Sequence, residues 1–191
     1  PGKRSAEDEK VTDLLIGFGM KALVGHDFSA VLGKIIARYQ DIAEELGLGT
    51  KIIDEIRTNL EDLVKGNKNE PDYYLDAFKA SGENNNAKLV AAYFNHEGIP
   101  ARYMDPQEAG LIVTNEPGNA QVLPESYDML YKLRASEEVI IFPGFFGYTK
   151  DGKVCTFSRG GSDITGSILA NGIQAELYEN FTDVDAIFAA N

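Results

Sequence analysis

The segment Arg159-Gly160-Gly161-Ser162-Asp163 concentrates more potential chemistry than any other in the chain. Two glycines ahead of a helix start let backbone N–H groups converge on an anion, and the helix dipole favours negative charge there. Arg159 adds a planar, permanently charged fork suited to carboxylate or phosphate. An ordinary Gly-Gly turn, an Asp cap and a surface arginine fit the same residues, and local physics leaves the two readings level. Two more segments follow predicted strands, the place where open α/β sheets bind ligands. They are Pro143-Gly144-Phe145-Phe146-Gly147 and Thr182-Asp183-Val184-Asp185. Asp183 and Asp185 also suit plain turns.

Other candidates are weaker. The stretch 147–153 has the opening spacing of a phosphate-binding loop. Val154, however, stands where Ser or Thr should meet magnesium, and the context is a hairpin, so it is rejected. His26 and His96 lack metal-site spacing with each other or with Cys155, and a structural or surface role is expected. Cys155, in an apolar β context, reads as a buried, inert thiol. Glu83 follows Ser81-Gly82 and precedes a predicted helix, where a first-turn carboxylate is at home. The charge alternation over 5–10 and 59–70 reads as solvated surface.

The elements that must position these residues change character near the midpoint. Val11, Leu14, Leu15 and Phe18 recur at helical spacing, as do Val31, Leu32, Ile35, Ile36, Tyr39, Ile42 and Leu46, with Gly47 at the stop. Ile52, Ile53, Ile56, Leu60, Leu63 and Val64 form a third apolar face, closed by Gly66. Two further helices are predicted over 72–80 and 85–96. Short strands are predicted over 99–103, 111–114, 154–157 and 176–181. The uninterrupted run Val139-Ile140-Ile141-Phe142 predicts a strand covered on both faces. Asp151-Gly152 between β-formers predicts a hairpin. Ser162 or Asp163 is expected to cap a helix ending near Gly172. Strand, helix and strand around a doubly covered strand argue for an α/β sandwich with a largely parallel sheet.

Lys plus Arg number 18 against 30 Asp plus Glu, a net charge of −12 that disfavours nucleic acid or an anionic membrane as the main partner. An anionic substrate stays open, because a few focused cations dominate inside a cleft. The apolar share of 43% and the length of 191 residues suit one domain that needs no disulfide or metal staple. A single cysteine fits a reducing compartment, and no apolar run reaches the roughly 20 residues of a spanning helix. Asn180-Phe181-Thr182 fits the glycosylation pattern, read as coincidence without a secretory signal. The start at Pro1 and the stop at Asn191 lead to the expectation of a piece cut from a longer protein.

Taken together, Gly144-Phe145-Phe146-Gly147, the run from Thr156 to Thr165 and Thr182-Asp183-Val184-Asp185 resemble consecutive signatures of the aspartokinases, within the amino-acid kinase superfamily. The family's Gly-Phe-x-Gly, Gly-Arg-Gly-Gly-Ser-Asp-x-Thr and Thr-Asp-Val-x-Gly occur in this order and at about this spacing. Ser81-Gly82-Glu83 resembles its substrate-contacting glutamate motif, and 11–15 the segment after its serine loop. The resemblance implies a three-layer αβα sandwich (carbamate kinase-like) with an eight-stranded, mainly parallel sheet. It places a helix-rich aspartate-binding side over 1–98 and the sheet core with the nucleotide side over 99–191. It implies a cytoplasmic enzyme moving the γ-phosphoryl of ATP, with Mg²⁺, to the side-chain carboxylate of L-aspartate. That is the first step towards lysine, threonine and methionine.

On this resemblance Arg159 grips a carboxylate of aspartate, helped by Thr12, Glu83, Phe145, Gly160 and Ser162, with Glu83 meeting the α-ammonium. Asp163 sits at the reacting centre as an organiser, while Thr182, Asp183 and Phe188 line the nucleotide pocket. Ser158, Ala186 and Phe188 depart from the family's glycine, glycine and tyrosine. The N-terminal Lys-Phe-Gly-Gly strand and the C-terminal ACT domains, through which the family's homodimers form, are not in this sequence. The piece alone is expected to be inactive. Alternatives are a sister kinase acting on acetylglutamate, glutamate or a nucleotide, and a non-catalytic ligand-binding homologue.

Overall fold

The computed structural model describes residues 8–181. Thr182, Asp183, Ala186 and Phe188, expected at the nucleotide, lie outside the described residues.

The three amphipathic stripes form the expected helices: α1 Val11–Leu23, α2 Ser29–Glu45 and α3 Lys51–Leu63. Their apolar faces meet those of α4, Pro71–His96, in one core that holds Leu15, Phe18, Ile35, Tyr39, Ile56, Leu60 and Phe78. Burial of each such large side chain is worth about 1.5–3 kcal/mol, which offsets the entropy of ordering four helices. Phe18 and Phe78 meet edge to face at 4.9 Å. Gly19 permits this, since a Cβ there would stand 2.8 Å from Phe78. Gly47 takes the left-handed conformation (φ 67°) that ends α2 as predicted.

The two helices predicted over 72–80 and 85–96 are one. Ser81-Gly82 reads as a break in sequence, yet it lies inside α4, where Leu15 of α1 would stand 3.0 Å from a Cβ on Gly82. The glycine marks a close helix crossing instead of a turn. The helix touches α1 and α3 and also the strands, so it is buried on several sides and carries no single apolar stripe. Glu83 is consequently a mid-helix residue and not a first-turn carboxylate.

In the second half, β1 Ala101–Tyr103 pairs in parallel with β2 Val139–Ile141, Ala101 opposite Val139. The hairpin of β3 Phe146–Tyr148 and β4 Val154–Thr156 is antiparallel, Phe146 opposite Thr156. Its turn is the predicted one, with Gly152 at φ 80° and Thr149 N–H donating to Lys153 C=O over 2.9 Å. α5 Glu125–Leu130 packs on α6 Gly161–Gly172, over a second core of Leu111, Val113, Leu130, Cys155, Phe157 and Ile168.

Several strand expectations fail among the described residues. Val139 keeps 43% of its surface exposed, so its run is not covered on both faces. Residues 111–114 make two single bridges, Ile112 to Tyr148 and Val113 to Val122, and no ladder. Residues 176–181 form no strand, with a bend at Glu176 and Phe181 91% exposed, since β-propensity without a partner edge does not make a strand.

Candidate active-site cleft

A cleft of about 220 Å³ opens where the first turn of α1, the middle of α4, the 143–145 turn and the start of α6 converge. Larger hollows lie on other faces, about 380 Å³ beside Lys88 and Tyr103 and about 370 Å³ beside Tyr73 and Lys153. The smaller cleft is the one into which sequence-predicted polar groups converge, the usual mark of a site.

Its floor depends on glycine. Gly160 caps α6 at φ 82°, the left-handed conformation, and no side-chain cap is made, contrary to the expectation for Ser162 or Asp163. A Cβ on Gly161 would stand 2.7 Å from Phe145 Cδ2 and 2.9 Å from Phe157 Cβ. The helix mouth can therefore press against the 143–145 turn. Phe145 itself has φ 80°, costly for a bulky residue. Three bonds hold it there: Phe145 N–H to Thr165 Oγ1 (3.0 Å), Phe157 N–H to Phe145 C=O (2.8 Å) and Thr165 Oγ1–H to Gly161 C=O (2.8 Å). The first backbone N–H groups of α6 lack acceptors within the helix and border the cleft.

Thr12, Glu83, Phe145, Gly160 and Ser162 all line this cleft, five predicted residues gathered from four separate segments. Glu83 keeps an open edge, but loss of solvent around its carboxyl raises its pKa above the ordinary glutamate value. Behind it, the buried Tyr39 hydroxyl donates to Gly82 C=O over 3.2 Å. Burial, and then the Glu83 charge, push that phenol up. Arg159 is exposed on the turn beside Gly160 and does not form the cleft wall. Asp163 is exposed on the first turn of α6, where Asn180 Nδ2 donates to its carboxylate over 3.2 Å.

Two residues escaped sequence reasoning. Lys79 lines the cleft, and its ammonium donates to Asp76 Oδ1 over 2.9 Å. Asp76, fully buried, also accepts Gly118 N–H (2.9 Å), Thr156 N–H (2.8 Å) and the Thr156 hydroxyl (3.0 Å) on Oδ2. Asp76, Lys79 and Glu83 fall at i, i+3 and i+7, one helical face that becomes legible once residues 71–96 form a single helix. His26 and His96 are exposed and Cys155 is buried, with its thiol pushed up to about 11 mainly by burial. No cluster of three metal-ligating side chains occurs among the described residues, and no described helix is long and apolar enough to cross a membrane.

The amino acid kinase family model matches residues 15–191. Aspartokinase 3 of Bacillus subtilis (strain 168) is 61% identical over 191 residues, all of this chain and 42% of that protein. The aspartokinase of Mycobacterium tuberculosis (strain ATCC 25618 / H37Rv) is 35% identical over 122 residues, 63% of this chain and 29% of that protein. Among solved structures, Clostridium acetobutylicum aspartate kinase superposes with a TM-score of 0.76 at 32% identity, covering 98% of this chain and 40% of its own. Escherichia coli aspartokinase III, solved with aspartate and ADP, superposes at 0.59 with 21% identity over 91% of this chain and 39% of its own, a likeness of fold. The chain spans less than half the length of the curated relatives it matches.

Proposed function

The chain belongs to the amino acid kinase family, and from that premise we propose that it is part of the catalytic domain of an aspartokinase. The reaction joins a side-chain carboxylate oxygen of L-aspartate to the γ-phosphorus of ATP and breaks the bond to the bridging oxygen. It releases ADP and 4-phospho-L-aspartate. One observation carries the proposal: the cleft gathers Thr12, Glu83, Phe145, Gly160 and Ser162 around the mouth of α6. Aspartokinases among its relatives support it, as does the aspartate and ADP bound to one structural neighbour.

The acceptor carboxylate has an ordinary pKa near about 4 and is ionised at neutral pH, so no general base is needed. The barrier is repulsion between two anions, and positioning with charge stabilisation must lower it. In this reading Glu83 receives the α-ammonium, while Thr12, Ser162 and the α6 amides orient carboxylate oxygens. Arg159, one residue from the wall, swings onto a carboxylate, and Asp163 organises the phosphate side. Thr182, Asp183 and Phe188 border the nucleotide. Mg²⁺, bound with ATP, would offset charge between the two anions and would be held chiefly by the phosphates, as suits a cation that keeps few protein ligands. The aspartate side over 1–98, the nucleotide side over 99–191 and a homodimeric parent enzyme belong to the same proposal.

The test uses the full-length parent protein with L-aspartate and ATP, following ADP release and trapping the acyl phosphate with hydroxylamine. Turnover on aspartate is expected, with Arg159→Ala slower by more than about a hundredfold, as loss of a transition-state contact implies. Phosphorylation of glutamate derivatives with none of aspartate would overturn the assignment.

A further inference from the structure

Of the described side chains that line the cleft, one is acidic and one is basic: Glu83 and Lys79. The guanidinium of Arg159 is not among them. Lys79 is held by a buried anchor. Its anchor, Asp76, is 0% exposed and is itself fixed by three donors from two other segments, at Gly118 and Thr156. A flexible four-carbon stem is thereby given one position before any ligand arrives, which removes much of the ordering cost of binding. An ammonium has three donors, and among the described residues Lys79 spends one, on Asp76 Oδ1. About a third of its side chain remains exposed. Its partner oxygen is Asp76 Oδ1, while Oδ2 accepts three neutral donors, so Lys79 balances the buried charge and still reaches the cleft wall.

We propose that Lys79 is a substrate-binding residue whose ammonium takes one carboxylate of the acceptor amino acid, with Asp76 as its positioning residue. The inference rests on the acceptor assigned above and deepens it. With Glu83 one turn further along α4, the cleft offers one negative and one positive group on a single rigid helix. That pair fits a zwitterionic amino acid, its ammonium on Glu83 and one carboxylate on Lys79, and the second carboxylate is the acceptor group assigned above. It also supplies a cation in the cleft wall itself in a protein whose net charge is −12.

The experiment uses the full-length parent protein and the variants Lys79→Met and Lys79→Arg. Calorimetry measures binding of L-aspartate and of two analogues in which one carboxylate is a neutral amide: L-asparagine and the α-amide of L-aspartate. Wild type is expected to penalise both analogues. Lys79→Met should weaken L-aspartate binding by at least about tenfold, as loss of a charged hydrogen bond predicts. It should also abolish the penalty for one of the analogues, while Lys79→Arg restores that penalty and KM for ATP stays unchanged. A purely structural role would weaken all three ligands together. Both penalties intact in Lys79→Met, or a uniform loss, overturns the inference. If Lys79→Met does not fold, Lys79→Gln replaces it in the same comparison. Wild-type binding of aspartate without phosphorylation would sink the kinase assignment and leave Lys79 in place. Phosphorylation with both penalties intact in the variant does the reverse, and no binding of aspartate by wild type overturns both.

Discussion

Replacing Asp76 with alanine should destabilise the protein more than any change at the cleft surface. The carboxylate is fully buried, and its two oxygens take four hydrogen bonds between 2.8 and 3.0 Å. They tie α4 to the turn at Gly118 and to Thr156 at the end of β4, so one side chain links the helical half to the strands. Alanine leaves two amide N–H groups, a hydroxyl and an ammonium without their acceptor. Each orphaned buried donor costs about 1–3 kcal/mol, but the losses overlap and Lys79 can turn to water. Truncating one partner of a buried ion pair costs about 3–5 kcal/mol in measured cases, and that range is the expected loss. For a domain of this size it lowers the melting temperature by about 6–20 °C. Asparagine should cost about half as much, since its carbonyl can keep the three donors on Oδ2 while its amide faces the Lys79 ammonium. Differential scanning calorimetry of the parent protein reads both variants, and amide exchange at Gly118 and Thr156 should quicken in step. A melting temperature within about 2 °C of wild type for Asp76→Ala, less than about 1 kcal/mol, would refute the staple.

Gly161→Ala places a Cβ 2.7 Å from Phe145 and 2.9 Å from Phe157, an overpacking worth about 1–3 kcal/mol. It should raise KM for the acceptor together with the stability loss, and normal values for both would show that the close approach does not shape the cleft. Glu83 has its pKa raised by loss of solvent, so folding favours its protonated form. Its contribution to stability is full below the unfolded value near 4.5 and is lost as pH rises through the folded pKa. In the proposed function the α-ammonium binds the charged form, so acceptor affinity should fall on acidification at a higher pH than an ordinary glutamate gives. Glu83→Gln should lack that limb, and an unchanged profile in this variant would reassign it. Cys155, buried with its pKa at about 11, should resist thiol reagents at pH 8, where about one thiol in a thousand is ionised. Rapid labelling of Cys155 in the folded protein, read by peptide mass, would contradict its placement.

Whatever depends on near neighbours is legible in the amino-acid order alone. Helical periodicity set α1, α2 and α3 to within a few residues, because the faces of Leu15, Ile35 and Ile56 repeat every turn. Gly47 and Asp151-Gly152 announced a helix stop and a hairpin because positive φ is a property of single residues. Thr12, Glu83, Phe145, Gly160 and Ser162 were legible as candidate site residues through a family resemblance in their motifs, and the fold lines one cleft with them. Tertiary structure decided the rest, since coverage and pairing are not written locally. The crossing of Leu15 over Gly82 turns an apparent break into the middle of α4. Only that continuous helix puts Asp76, Lys79 and Glu83 on one face. Val139 looks doubly covered in sequence and stays half open, while 176–181 has strand composition without a strand beside it among the described residues. A buried carboxylate such as Asp76 finds its donors more than 40 residues away, at Gly118 and Thr156, and no local pattern encodes a hydrogen bond across that separation.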